Sequence, residues 1–118
     1  MKIKRLLKSF SYSFRGLGKT FKEEQNLQVQ SIFAILVIGL AAFFGIKPTE
    51  WCLVFMVIAL VMLMELANSA VERIADVLKP RIHEYVKEVK DIMAAAVMLS
   101  SFLAIAVGVI IFAPYFLR

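Results

Sequence analysis

The stretch Trp51-Cys52-Leu53-Val54-Phe55-Met56-Val57-Ile58-Ala59-Leu60-Val61-Met62-Leu63-Met64 is followed at once by Glu65-Leu66-Ala67-Asn68-Ser69-Ala70-Val71-Glu72-Arg73-Ile74-Ala75-Asp76. Read as one continuous helix at about 100° per residue, Glu65, Glu72 and Asp76 fall within roughly 40° of one another, flanked by Asn68 and Ser69. The apolar part covers only about 21 Å of helix, against a hydrocarbon layer of about 30 Å. If Trp51 marks one interface, Glu65 therefore lies short of the other. An ionisable side chain at that depth costs a few kcal/mol and is by default a functional candidate.

Working outward, the whole chain obeys the same solvent. Its 118 residues are 61% hydrophobic with a mean hydropathy of +0.80, well above the roughly 45–50% apolar content of soluble domains. The fold class is an all-α integral membrane protein forming a single membrane domain over 1–118. No polar stretch is long enough to fold alone. Three spans are expected, over 28–46, 51–72 and 92–115, with an interfacial helix over 1–25 and a helix end and loop over 73–91. Thr49 is the expected N-cap of the second span, and Trp51 an interface anchor. Cys52 is the only cysteine, so it has no intramolecular disulfide partner. A cleaved leader is not expected, because no apolar stretch follows the basic start until Val29 and no small-residue cleavage site comes after it.

The net charge of +5 is unevenly placed. Lys2, Lys4, Arg5, Lys8, Arg15, Lys19 and Lys22 crowd the start; Arg73, Lys79, Arg81, Lys87 and Lys90 lie between the second and third apolar runs. Nucleic-acid binding is a poor account of this in a membrane chain without a base-reading module. The positive-inside rule accounts for it directly, with the N-terminus and the 73–91 segment cytoplasmic and the C-terminus outside. Ile3, Leu6, Leu7, Phe10, Phe14, Leu17 and Phe21 share a stripe about 100° wide, from which every basic residue is absent. That pattern predicts a helix lying on the membrane surface with lysines toward anionic headgroups. Gly16 and Gly18 interrupt it, hinting at close backbone packing or a nearby ligand. Gly18-Lys19-Thr20 resembles the tail of a phosphate-binding loop, but the pattern needs glycine where the chain has Ser13, and no strand precedes it.

The polar stripe has company: Glu23 and Glu24 sit where the surface helix meets the first span, and Lys90-Asp91 just before the third. Four readings compete for this convergence. Polar residues can glue helices together. They can line a small channel or transporter, although broken helices and repeats are missing. They can bind a partner as a structural subunit. Or they can serve an enzyme acting on a lipid headgroup, with a base at headgroup depth, carboxylates for Mg²⁺ and cations for phosphate.

The pattern Glu65-Leu-Ala-Asn68-Ser69-Ala70-Val-Glu72-x-x-x-Asp76, followed by Lys90-Asp91-x-x-Ala-Ala-Ala-Val, resembles the signature of the bacterial diacylglycerol kinase/undecaprenol kinase family. Phe14-Arg15-Gly16-Leu17, Phe21-Lys22-Glu23-Glu24-x-Asn26 and Glu50-Trp51 extend the resemblance over essentially the whole chain. It implies a homotrimer in the bacterial plasma membrane that transfers the γ-phosphoryl group of ATP, with Mg²⁺, to a lipid alcohol. By the same resemblance Glu65 matches the catalytic base and Asn68 a residue that orients it or the substrate; Glu24 and Glu72 match the metal carboxylates. Lys90, Asp91, Asp76, Arg5, Tyr12, Arg81 and His83 match the nucleotide side, and Arg15, Trp51 and Ser69 join Glu65 on the lipid side. Arg81 stands where some members carry glutamate, and Gln28 where many carry arginine. The Glu-Glu-x-Asn pair and the Lys47-Pro48-Thr49-Glu50-Trp51 turn look more like undecaprenol kinases than diacylglycerol kinases, so undecaprenol is the expected acceptor and diacylglycerol the alternative.

Overall fold

The computed structural model describes residues 2–78 and 83–118, with His83 described by its backbone alone. It contains four α-helices: α1 (Lys2–Glu23), α2 (Gln25–Phe44), α3 (Pro48–Leu78) and α4 (His83–Phe116), with no strand among the described residues. The last three are long and apolar enough to cross a membrane. The protein is an all-α integral membrane protein with three spans and an amphipathic N-terminal helix.

Each boundary has a local cause. At Glu24 the backbone becomes extended (φ −102°, ψ 108°), which separates α1 from α2. The Gln28 side-chain amide donates to the Phe21 and Lys22 carbonyls at 2.9 and 3.2 Å, capping oxygens that the end of α1 leaves without helical partners. At the far end of α2, Gly45 takes a left-handed conformation (φ 62°) that a side chain would strain. Its N–H donates to the Ala42 carbonyl and that of Ile46 to the Ala41 carbonyl, both at 3.3 Å, the paired bonds of a Schellman motif. The hydrophobic contact that accompanies this motif is present too, since Ala41 and Ile46 are both buried in one core cluster.

Thr49 is not the cap of α3. Pro48 opens the helix, a position where its missing N–H costs nothing and its φ is already helical. Glu50 then accepts a bond from the backbone N–H of Lys47 at 2.9 Å, forming half of a capping box. The same Oε1 accepts the Tyr115 hydroxyl of α4 at 2.5 Å. These bonds hold the Glu50 carboxyl, just ahead of the second span, below the usual carboxylate range; the Tyr115 bond contributes most and the Lys47 amide next.

The helices run antiparallel, α2 against α3 and α3 against α4. The core lies at this turn end: Ala41, Ile46, Val54, Ile111 and Phe112 are buried together, with Val37, Leu40, Phe44, Trp51, Ile58, Val107 and Tyr115 packed around them. Phe44 is its hub, with ring centroids 4.9 Å from Phe116, 5.6 Å from Tyr115 and 6.4 Å from Phe112. The opposite end differs. At 31 and 34 residues, α3 and α4 are about 46 and 51 Å long, so both outrun a hydrocarbon layer of about 30 Å. Residues 73–78 and 83–91 are thus helical, and the rest of the expected 73–91 loop lies outside the described residues. The cause of this helical reach is a second apolar cleft, lined by Val71, Ile74, Ala75 and Leu78 from α3 and Tyr85, Val86 and Val89 from α4. Helical spacing on both sides lets these rows meet beyond the membrane.

α1 packs on α2 and leaves Ile3, Leu7, Phe10 and Phe14 exposed, as befits a helix whose apolar face meets lipid. Gly16 and Gly18 have no atom within 4 Å of the place a Cβ would occupy. Within one chain, the close packing expected of them is absent.

Candidate active site

In a chain with so little buried surface, the buried polar side chains among the described residues stand out. Glu65 is 2% exposed, Ser69 2% and Asn68 9%, all on α3, and Ser100 on α4 is 6% exposed, its hydroxyl bonded to the Val97 carbonyl. Helical geometry puts the three α3 residues on the face turned toward α2, because Glu65 meets Gln30 there: the Gln30 Nε2 faces Glu65 Oε2 at a long 3.5 Å. The side-chain amides of Asn68 and Asn26 lie close to this carboxylate, and the charges of Glu24 and Glu72 act on it. Ser69 Oγ and Gln30 Oε1 are buried without a hydrogen-bond partner. Burying such atoms unpaired is unfavourable by about 1–3 kcal/mol each, so they are groups in wait of a partner.

Outward along α3, the charged residues close onto neighbouring helices. Arg73 donates to Glu23 Oε2 at 2.7 Å and stands 3.8 Å from Glu24 Oε1, tying the α1–α2 junction to α3. Lys90 of α4 donates to Asp76 Oδ1 at 2.7 Å. This bond holds the Lys90 ammonium above the usual lysine range, with the Asp76 charge and then that of Glu72 adding to it. Glu72 thus lies in the field of both Glu65 and Lys90. Three levels result: a buried carboxylate with its amides, then Glu24, Glu72 and Arg73, then Asp76 and Lys90.

Other expected site residues fall elsewhere. Asp91 is exposed on α4 beside Lys90. Arg5, Tyr12 and Arg15 are exposed on α1, the Arg15 guanidinium lying 5.7 Å from the Tyr12 ring centroid. No hydrogen bond or ion pair joins these three to α3 among the described residues. Trp51 lies at the turn end, stacked on Phe55 at 5.3 Å, about 21 Å along α3 from Glu65. Arg81 and the His83 side chain lie outside the described residues. Sequence reasoning gave no site role to Gln30, Asn26 or Arg73, although Asn26 stood in the quoted signature. Gln30 and Asn26 did carry a signal, as polar residues at the entry of an apolar run.

Residues 11–112 match the family model described as Prokaryotic diacylglycerol kinase. The chain belongs to this family. Among curated relatives of this prokaryotic diacylglycerol kinase family member, the undecaprenol kinase of Bacillus subtilis is 30% identical over 112 residues, covering 95% of this chain and 91% of its own. The diacylglycerol kinase of Haemophilus influenzae is 35% identical over 95 residues, 80% of each chain. That of Escherichia coli is 26% identical over 112 residues, 95% of this chain and 92% of its own. The family's members are lipid kinases, and so is this one: a multi-pass membrane enzyme whose class of reaction draws a phosphoryl group from ATP.

Proposed function

We propose that this kinase phosphorylates undecaprenol, giving undecaprenyl phosphate, with diacylglycerol as the alternative acceptor. The observation that carries the kinase site is the burial of Glu65 and Asn68 within the span, on the helix face that continues to Glu72 and Asp76 outside it. Glu65 takes the proton of the lipid hydroxyl as its oxygen attacks the γ-phosphorus, the bond to the β-phosphate bridging oxygen breaks and ADP leaves. Asn68 holds the carboxylate in place, and Ser69 borders the lipid. Lys90 meets phosphate oxygens, with Asp76 and Asp91 beside it; Arg5, Tyr12, Arg81 and His83 form the nucleotide side, and Arg15 and Trp51 attend the lipid at the two membrane faces.

Glu24 and Glu72 suit Mg²⁺. They are hard oxygen donors, and the charges of both act on Glu65. Mg²⁺ is commonly held by one or two carboxylates while substrate phosphates and water complete its shell. When bound there, the ion would neutralise phosphate charge. The reading includes a homotrimer with its N-terminus and its α3–α4 connection in the cytoplasm and its C-terminus outside, in keeping with the distribution of lysine and arginine.

Undecaprenol is favoured by the near full-length likeness to the Bacillus subtilis enzyme and by the apolar character of the groove beside Glu65. The test is competition between undecaprenol and diacylglycerol for labelled phosphate from Mg-ATP in mixed micelles. Preferential labelling of undecaprenol is expected; labelling of diacylglycerol alone would reassign the acceptor, and labelling of neither would overturn the kinase site.

A further inference from the structure

Arg73 stands between the two ends of the site. On α3 it follows Glu65 by about 12 Å and precedes Asp76 by about 4.5 Å, and its side chain reaches across to the α1–α2 junction. Its Nη2 donates to Glu23 Oε2 at 2.7 Å and lies 3.8 Å from Glu24 Oε1; among the described residues no other ion pair holds the guanidinium. Arg73 and Glu23 are both nearly half exposed, and Glu24 is the more buried carboxylate. An exposed pair of this kind contributes little to stability. It also occupies one corner of a planar fork of N–H donors, whose geometry matches phosphate as well as carboxylate. At the outer level Lys90 is already bonded to Asp76. Arg73 is the cation one level further in, next to Glu72 along the chain and near Glu24 in space.

We propose that Arg73 reads the γ-phosphoryl group of the nucleotide, exchanging Glu23 for phosphate oxygens when ATP arrives. This inference rests on the lipid-kinase reading, with the lipid hydroxyl at Glu65. The γ-phosphoryl is then the phosphate nearest Glu65, and Lys90 at the outer level meets phosphates nearer the adenosine. Arg73, on the level between, faces the γ end. Phosphate offers the fork two parallel charge-assisted bonds in place of the single bond to Glu23. The guanidinium keeps its proton throughout. It holds γ-oxygens while the bond from the γ-phosphorus to the β-bridging oxygen breaks and the bond to the lipid oxygen forms; the hydroxyl proton goes to Glu65. ADP lacks the group that Arg73 held, so Glu23 recovers the guanidinium and the product nucleotide loses that tie to the site.

Glu23 supplies an independent probe. Replacing it with glutamine leaves Arg73 only the longer approach to Glu24 to surrender. A bridge that served the fold alone would weaken ATP and ADP alike when either end was removed. An exchangeable bridge makes the two substitutions oppose each other.

The experiment measures equilibrium binding of ATP and of ADP to the full chain in detergent micelles without lipid acceptor, once with Mg²⁺ and once with EDTA. Arg73→Ala should weaken ATP about tenfold and ADP by less than about twofold, the scale of a lost hydrogen bond to a charged group. Arg73→Lys keeps the charge without the fork and should recover only part of that loss. Glu23→Gln should tighten ATP about two- to fivefold in EDTA, the scale of an exposed ion pair. That gain should vanish when Glu23→Gln is combined with Arg73→Ala. Equal weakening of ATP and ADP in Arg73→Ala overturns the proposal, as does full recovery by lysine. A Glu23→Gln gain that is absent, or that survives without Arg73, overturns it too. If the wild-type chain binds neither nucleotide, the kinase reading itself falls. If it binds both, with a preference for ATP that Arg73→Ala leaves untouched, only the role of Arg73 falls.

Discussion

Lys90 and Asp76 face each other across α3 and α4 at 2.7 Å, beyond the apolar part of both helices. The pair closes the outer end of the site and points a cation toward Glu72, whose charge it also feels. Asp76→Asn should raise KM for ATP about three- to tenfold while sparing the fold, because Lys90 loses the group that aims it. Removing the bond also returns the ammonium toward the ordinary lysine range. A group with a raised folded-state pKa stays charged, and contributes stability, until the pH climbs through that raised value. The alkaline loss of kcat/KM for ATP should therefore begin at lower pH in Asp76→Asn than in the wild type. Superimposable alkaline limbs would remove Lys90 from the phosphate side.

Glu65→Gln keeps shape and burial and deletes the basic oxygen. Phosphoryl transfer should fall about 10²- to 10⁴-fold, the usual contribution of a positioned general base. Thermal stability should hold or rise, because a buried carboxylate inside the span is replaced by a neutral amide. Activity within about threefold of wild type would sink the assignment, a smaller loss than general-base removal produces.

Arg73 touches Glu23 more closely than Glu24, and this order predicts opposite effects from two substitutions. Glu23→Gln releases Arg73 onto Glu24, where it competes with a metal, so the Mg²⁺ concentration for half-maximal activity should rise. Arg73→Ala removes the competitor and should lower it. Both ends of the pair are nearly half exposed, which confines each shift to about two- to fivefold, the scale of an exposed ion pair. Titration of activity against Mg²⁺ reads both; shifts of the same sign would mean that Arg73 serves the fold alone.

At the turn end, Glu50 and Tyr115 lock α3 to α4. Glu50 has a lowered folded-state pKa, so its contribution is present above the ordinary carboxyl pKa and is lost as the pH falls through the folded value. Tyr115→Phe should lower the melting midpoint in detergent at neutral pH, and the difference from wild type should shrink in acid. A deficit that persists undiminished at about pH 2, below the usual glutamate range, would assign the loss to packing among the aromatic rings instead.

The three spans, the surface helix and the polar face of α3 were legible because each follows from residue order within one segment. Hydropathy sets the spans, and helical period sets the faces. What escaped was of two kinds. The start of α3 turned on two local alternatives, Thr49 as a cap or Pro48 as the first helical residue, and the bond from Lys47 to Glu50 settles it for Pro48. The contacts Gln30–Glu65, Arg73–Glu23 and Tyr115–Glu50 join residues 35, 50 and 65 positions apart. No spacing rule within a segment encodes such pairs; they arise only when antiparallel helices choose which faces to turn together. The helical reach of 83–91 was hidden for the same reason, since the two weak apolar rows of α3 and α4 gain meaning only against each other.

α3 runs without interruption from Pro48 to Leu78, and this makes residue count a mechanical quantity. Eleven positions separate Glu65 from Asp76, about three full turns and 16 Å. A single inserted or deleted residue between Glu65 and Glu72 would swing everything downstream by about 100° and take Glu72 and Asp76 off the face that carries Glu65. Side chains off the site face of this interval can drift in size, as long as the helix holds, but its length cannot. Descent with modification in this enzyme is thus free to substitute around Asn68, Ser69 and Glu72 and barred from changing the number of links.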